Sequence, residues 1–249
     1  MLEATFPIPY GGIGPDGKMK LPVLLEALQD SADRDARRMS MTVSDLLPRG
    51  VSWVLRQYSL AVRRYPRYGL DLVVRTWHEP RKNLYSVRAF EVRDGEGPVA
   101  SAVTSWILID TARGRPIRLD RHSTELYVSE ARPIAEGFPD IPPGEEWETE
   151  TFFAVRTWDL DMNGHVNNAV YFTWSAEAVP REISSGWSLM GVEAEFLRPT
   201  EGRGDVCVRT RSLEREGGGR RFLHSIAGAD GIERARFLTL WHPSEHGEK

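Results

Sequence analysis

One order of elements is written twice along this 249-residue chain, and that repeat narrows the folds open to it more than any other feature. Between Leu21 and Arg38, Leu24, Leu25, Leu28 and Ala32 recur at helical spacing, with Asp30, Asp33 and Arg34 off that face. Pro22 suits a first helical turn. Strand-like runs follow at 51–64, 70–77, 84–92 and 99–109, the last three punctuated by Glu79-Pro80-Arg81-Lys82-Asn83 and Asp94-Gly95-Glu96-Gly97-Pro98. The second half repeats the theme: a strand at 148–158, a helix over 168–184, then strands at 191–198, 205–212, 221–227 and 233–241, with a hairpin at Glu214-Arg215-Glu216-Gly217-Gly218-Gly219. In the last strand Ala235, Phe237, Thr239 and Trp241 share one face and Arg236, Leu238 and Leu240 the other.

A unit of one helix and several antiparallel strands buries its helix by curving the sheet around it. The predicted class is therefore α+β, with two antiparallel sheets each wrapped around a long central helix. The stretch between the halves is rich in Pro, Gly and Arg, as in Gly114-Arg115-Pro116 and Pro142-Pro143-Gly144, and reads as a surface linker. The predicted division is 1–112, a linker 113–146, and 147–249.

Charge and cysteine content exclude several classes. A formal charge of -4 provides no basic field for nucleic acid, so no nucleic-acid partner is expected. The single cysteine, Cys207, forms no intrachain disulfide and fits a cytoplasmic setting. His242 and His246 make a weak zinc signal, and neither metal nor cofactor is expected. No run of apolar residues approaches membrane-spanning length, and the N-terminus carries no secretory pattern.

The chemistry concentrates at Asp161-Met162-Asn163-Gly164-His165-Val166-Asn167-Asn168, just ahead of the second helix. A carboxylate, an amide and an imidazole alternate there, with Gly164 relaxing the backbone between them. Asp161 suits a general base that draws a proton from water, with direct attack through an acyl anhydride as the competing route, Asn163 a group that positions water or the carboxylate, and His165 a proton-transfer or carbonyl-binding group. Backbone amides around Asn167 and Asn168, at a helix start, suit an oxyanion. The competing reading gives Asp161 and Asn163 a capping role and His165 a packing role; for the Asn167 and Asn168 side chains, capping is favoured over catalysis.

Asp159-Leu160-Asp161-Met162-Asn163-Gly164-His165-Val166-Asn167-Asn168, followed by Tyr171, Trp174, Glu177 and Pro180, resembles the active-site motif of fatty acyl-ACP thioesterases of plants and bacteria. First-half landmarks agree, among them Gly50-Val51-Ser52-Trp53, Tyr65-Pro66, Thr76-Trp77, Arg88-Ala89-Phe90 and Thr104-Ser105-Trp106. The resemblance implies a tandem hotdog fold and hydrolysis of the thioester joining a fatty acyl group to acyl carrier protein. Trp53, Trp77 and Trp106 become candidates for the acyl-pocket wall. Arg37, Arg38, Arg63, Arg64 and Arg67 become candidates for meeting the acidic carrier. The Leu21 to Arg38 region has no Asp-x-Asn-x-His counterpart, so one active site per chain is expected, with chain-length selectivity in the first half.

One departure stands out. The plant enzymes carry a further Glu-Cys pair, and a gap-free match places Pro199 and Thr200 at those positions. Glu195 and Glu201 are neighbouring carboxylates outside the matched places. The shorter Asp-x-x-Gly-His-x-Asn-Asn element also occurs in acyl-CoA thioesterases, so an acyl-CoA thioesterase stays open, as does a non-catalytic acyl-thioester-binding protein. A homodimer is a further open question.

Overall fold

The computed structural model describes residues 1–81, 84–121, 137–202 and 204–244, and the chain divides into two compact units, Met1–Gly137 and Phe138–Lys249. The first comprises β1 (Leu2–Pro7), α1 (Leu21–Arg37), α2 (Val43–Leu46), β2 (Val51–Val62), β3 (Asp71–Arg81), β4 (Tyr85–Asp94), β5 (Gly97–Asp110) and the two-residue β6 (Arg115–Pro116). Its strands run in the order β1-β3-β4-β5-β2, with β6 on β5. The second comprises β7 (Thr149–Ala154), α3 (Asn168–Glu177), α4 (Arg181–Gly186), β8 (Trp187–Phe196), β9 (Asp205–Glu216), β10 (Gly219–Gly228) and β11 (Glu233–Pro243). Its order, β7-β9-β10-β11-β8, is the same arrangement strand for strand. Each unit is a hotdog, and the pairings given for both are antiparallel.

Of the predicted helical stripe of α1, Leu24, Leu25 and Leu28 are buried and Ala32 is half-buried, with Ala27 buried beside them, while Asp30, Asp33 and Arg34 stay at the surface. Burial of four such side chains is the main force holding α1, because the helix has no side-chain cap at Lys20. The face of α1 also carries Asp35, whose Oδ2 accepts a hydrogen bond from Arg88 Nη1 of β4 at 2.8 Å, with His78 Nδ1 at 3.5 Å. Arg88 reaches Thr76 Oγ1 at 3.2 Å as well, so a buried ionic cluster sits beneath the helix.

In the second unit Phe172 and Trp174 of α3 are buried, Phe172 packing edge-on against Phe237 of β11 with ring centroids 5.1 Å apart. The β11 face predicted from alternation is the buried one: Ala235, Phe237, Thr239 and Trp241 are all inside. Fully buried His224 lies between Thr210 Oγ1 and Thr239 Oγ1, 2.9 Å from each, and burial pushes its pKa down to about 3. It is neutral at ordinary pH and completes a polar rung in an aromatic core.

Several elements depart from the sequence reading: β3 runs on past 77 to Arg81, through Glu79 and Pro80 of the predicted turn, and α2 and β6 were not predicted. Strand β1 was not predicted; among the described residues it pairs only with β3, and its alternation is short and ends at Pro7. The predicted helix over 168–184 is two helices, because Pro180 has no N–H to continue α3 and disfavours helical backbone at Val179. Strand β8 consequently starts at Trp187, four residues before the predicted start at 191. Strand β7 stops at Ala154 and the chain turns through a short 3-10 segment, Thr157–Asp159. Within 113–146, Leu119 and Ile141 are buried; residues 122–136 of that stretch, Lys82 and Asn83 of the predicted turn, and His246 of the weak zinc signal lie outside the described residues. No helix among the described residues is long and apolar enough to cross a membrane.

Candidate active site

Asp161, Asn163 and His165 occupy one tight turn. The Asp161 N–H donates to the His165 carbonyl at 2.7 Å and the Gly164 N–H to the Asp161 carbonyl at 3.0 Å. The turn needs a left-handed residue at its corner, and Gly164 supplies it at φ 74°. The Asp161 carboxylate closes the turn from inside: Oδ1 accepts the N–H groups of Asn163 at 2.8 Å and His165 at 3.2 Å. Among the described residues Oδ2 receives only the long 3.5 Å contact from Asn163 Nδ2, so one carboxylate oxygen is held by the backbone and the other is weakly engaged. The capping role and the catalytic role are thus compatible in the same side chain.

Two bridges tie this turn to its unit. Leu160 pairs with Val166, and His165 pairs with Glu201, while the Val166 N–H donates to the Thr200 carbonyl at 3.0 Å. The second bridge brings Glu201 Oε1 to 3.6 Å from His165 Nε2, an ion pair whenever the imidazole is protonated. Glu201 is the functional candidate that the gap-free comparison left aside. Its signal in the sequence is its place next to Thr200, visible only once that segment is known to run beside the turn.

At the entrance to α3, Asn167 is the N-cap, its Oδ1 accepting the Ala169 N–H at 2.9 Å. Its own N–H is committed to the Asp159 carbonyl at 2.8 Å. Of the two backbone donors suggested for an oxyanion, Asn167 is therefore spoken for. The N–H of Asn168, first residue of the helix, has no partner among the described residues and lies at the positive end of the helix dipole.

Thr200 has a structural duty. Buried Tyr171 donates its hydroxyl to Thr200 Oγ1 at 2.8 Å, and burial raises the phenol pKa against the opposing pull of that bond. Thr200→Ala is expected to leave turnover within about threefold while costing about 1–3 kcal/mol of stability, because it strands a buried hydroxyl. Thermal unfolding beside a rate measurement checks this, and a lost rate without lost stability would give Thr200 a chemical role. The other nearby groups fall away from the turn. Glu195 pairs across β8 and β11 with Arg236, and the Cys207 thiol is pushed up by partial burial and by Glu150.

The three tryptophans do not form one wall. Register places Trp53 opposite Leu108, and Trp106 opposite both Leu55 and Ser86, on the sheet face that Arg88 shares with α1. Trp77, opposite Ala89, lies on the other face in a cluster with Val87 and Val103. Trp53 donates to the Met41 carbonyl at 2.9 Å and Trp106 to Thr104 Oγ1 at 2.8 Å, and both are half-buried. Among the candidate carrier-facing arginines, Arg37 pairs with Asp33, Arg38 with Asp35, and Arg64 with Asp94 and Glu96. Arg63 and Arg67 have no ion pair among the described residues.

Comparison with known proteins agrees across both units. Residues 1–127 match the acyl-ACP thioesterase N-terminal domain and residues 144–243 the acyl-ACP thioesterase C-terminal domain. Among curated relatives, the chain is 25% identical over 264 residues to the chloroplastic acyl-[acyl-carrier-protein] hydrolase FATB2 of Cuphea viscosissima, covering 99% of this chain and 64% of that protein. It is 26% identical over 261 residues to the chloroplastic dodecanoyl-[acyl-carrier-protein] hydrolase of Umbellularia californica, covering 98% of this chain and 68% of the relative. The chain thus spans a little under two thirds of the first relative's length. Solved structures share the fold: the 12:0-ACP thioesterase from Umbellularia californica superposes with a TM-score of 0.86 at 22% identity, over 98% of this chain and 94% of the other. An acyl-ACP thioesterase from Bacteroides thetaiotaomicron gives 0.83 at 18% identity, over 96% and 97%. With both of its halves matched in order, the chain belongs to the acyl-ACP thioesterase family.

Proposed function

We propose that this protein hydrolyses the thioester between a fatty acyl group and acyl carrier protein, releasing a free fatty acid and the carrier's thiol. The observation that carries the reading is the Asp161 carboxylate, pinned through Oδ1 and open at Oδ2, in the same turn as Asn163 and His165. In this reading a water oxygen attacks the acyl carbon as Asp161 Oδ2 takes its proton. The negative charge moves to the former carbonyl oxygen, where the Asn168 N–H and the His165 ring can stabilise it. When that oxyanion collapses, the carbon–sulfur bond breaks and the proton held by Asp161 goes to the departing sulfur. Glu201, 3.6 Å from Nε2, orients the His165 ring. No metal or cofactor enters any of these steps.

Membership of the family, together with the carrier-protein substrates in its relatives' names, favours acyl-ACP over acyl-CoA. The single cysteine fits a reducing compartment such as the cytoplasm. Thiol release measured on acyl-ACP and acyl-CoA across chain lengths tests the reading. Preference for the carrier-protein substrate is the expected result. Release only from acyl-CoA would move the protein to that class, and binding without release would make it an acyl-thioester-binding protein.

We assign chain-length selectivity to the helix-facing sheet surface of the first unit. Trp106→Ala should shift preference towards longer acyl chains, since each methylene newly accommodated contributes about 0.8 kcal/mol. Trp77→Ala, on the opposite face, should leave the profile in place. A profile that follows Trp77 and ignores Trp106 would overturn the assignment.

A further inference from the structure

The catalytic turn has a twin in the first unit that its sequence conceals. The Gly14 N–H donates to the Lys18 carbonyl at 2.8 Å and the Gly17 N–H to the Gly14 carbonyl at 3.0 Å, as Asp161 does to His165 and Gly164 to Asp161. Gly17 holds φ 75° where Gly164 holds 74°. Ile13 bridges to Met19 as Leu160 does to Val166, and Lys18 bridges to Arg67 as His165 does to Glu201. The Met19 N–H reaches the Pro66 carbonyl at 2.7 Å, matching Val166 and Thr200, and Lys20 reaches Gly12 at 2.8 Å, matching Asn167 and Asp159. Residues 14–20 therefore correspond one for one to 161–167, each run leading into its unit's helix.

On this common frame the chemistry is replaced. Gly14 stands where Asp161 would be, so the twin has no base. Asp16 closes the turn instead, its Oδ1 accepting the Lys18 N–H at 3.1 Å, and a Cβ on residue 14 would come within 2.9 Å of that oxygen. Lys18, Arg67 and Lys20 take the places of His165, Glu201 and Asn167. Lys20 Nζ is occupied by the Gly11 carbonyl at 2.9 Å. The Lys18 and Arg67 side chains have no hydrogen bond or ion pair among the described residues, although they are cross-strand partners. Like charges directly opposite each other in an antiparallel bridge are unfavourable, and the same position in the catalytic turn carries an imidazole and a carboxylate. Tyr68, next to Arg67 in the chain and 63% exposed, packs edge to face with Tyr10, 84% exposed, with centroids 6.1 Å apart.

We propose that this non-catalytic twin of the active-site turn is a docking surface for the acidic face of the acyl carrier protein, an assignment that rests on the hydrolase reading above. An acidic protein surface neutralises the uncompensated Lys18 and Arg67 and covers the exposed tyrosines; Tyr and Arg are the residue types that dominate binding energy at protein interfaces. A patch that is positive within a chain of net charge -4 also orients an acidic partner during approach. Of the five arginines considered from sequence, only Arg67 belongs to this surface.

The test uses the full chain and its Lys18→Glu/Arg67→Glu variant. Affinity for fluorescently labelled holo-acyl carrier protein is measured by anisotropy, and kcat/KM is measured for acyl-ACP and acyl-CoA bearing the same chain. At low salt the variant should bind the labelled carrier at least about tenfold more weakly, and its ratio of acyl-ACP to acyl-CoA turnover should fall by a similar factor. Added salt should close both gaps. Lys18→Arg/Arg67→Lys, which keeps the charges, should restore affinity and so exclude a folding defect. Unchanged carrier affinity in the charge-reversed variant overturns the proposal while leaving hydrolysis untouched. A greater loss on acyl-CoA also overturns it, in favour of nucleotide recognition. Carrier binding that is charge-dependent but accompanied by no thiol release would sink the hydrolase reading and leave the docking surface standing.

Discussion

Asp161→Asn is expected to lower kcat for acyl-ACP hydrolysis by about a thousandfold with the fold intact. The substitution is close to isosteric, and an amide oxygen at the Oδ1 position still accepts the N–H groups of Asn163 and His165 that the carboxylate now holds. What it removes is the proton acceptor at Oδ2. His165→Ala should cost about a hundredfold by withdrawing a group that stabilises the oxyanion, and Glu201→Gln about tenfold, because the imidazole loses its carboxylate partner and keeps its place in the backbone bridge. Thiol release, with circular dichroism to monitor folding, distinguishes these effects. Near-normal turnover by folded Asp161→Asn would remove Asp161 from the chemistry and return it to a purely capping role.

The tandem architecture was legible because burial leaves periodicity in the sequence. The α1 stripe and the alternation of β11 each presented one apolar face, and those are the faces that pack. Strand β1 escaped notice because only three residues, Leu2, Ala4 and Phe6, mark its inner face, and none of them is fully buried. The predicted helix overruns the end of α3 because the residues beyond Pro180 are helical too, as α4, and only the missing N–H of Pro180 separates the two. The candidate catalytic turn was visible because its side chains are of the types that the proposed hydrolysis uses. Its twin at residues 14–20 was not, since the bonds that define it are main-chain bonds and need only Gly17 in common with the catalytic turn. Glu201 was hidden for a related reason: its partner across the bridge lies 36 positions away, and no local pattern records that pairing.

Arg88→Ala should destabilise the first unit by about 3–5 kcal/mol, because it leaves the Asp35 carboxylate buried beneath α1 without its main counter-charge. His78 at 3.5 Å and the partly exposed Arg38 at 3.7 Å are weaker substitutes. Replacing both partners with apolar side chains, as in Asp35→Leu/Arg88→Met, should recover much of that loss. What is lost in the single variant is compensation for a buried charge; the intact pair is worth less than its removal suggests. The pH dependence gives a second reading. Burial raises the Asp35 pKa, but His78 and Arg88 outweigh it and hold the carboxyl at about 2, below the ordinary 3.8. A group depressed on folding adds stability that is complete above its unfolded pKa and is lost as pH falls through its folded value. In the wild-type protein this contribution, about 2 kcal/mol, is therefore present at neutral pH and fades between roughly pH 4 and pH 2. Without Arg88, burial should dominate and raise the pKa, so protonation would stabilise the variant. Its deficit relative to wild type, measured by denaturant unfolding, should then narrow from pH 7 to pH 4. A deficit that is constant over that interval would mean Arg88 supports α1 by packing and hydrogen bonding to Thr76, with no net electrostatic contribution from its charge on Asp35.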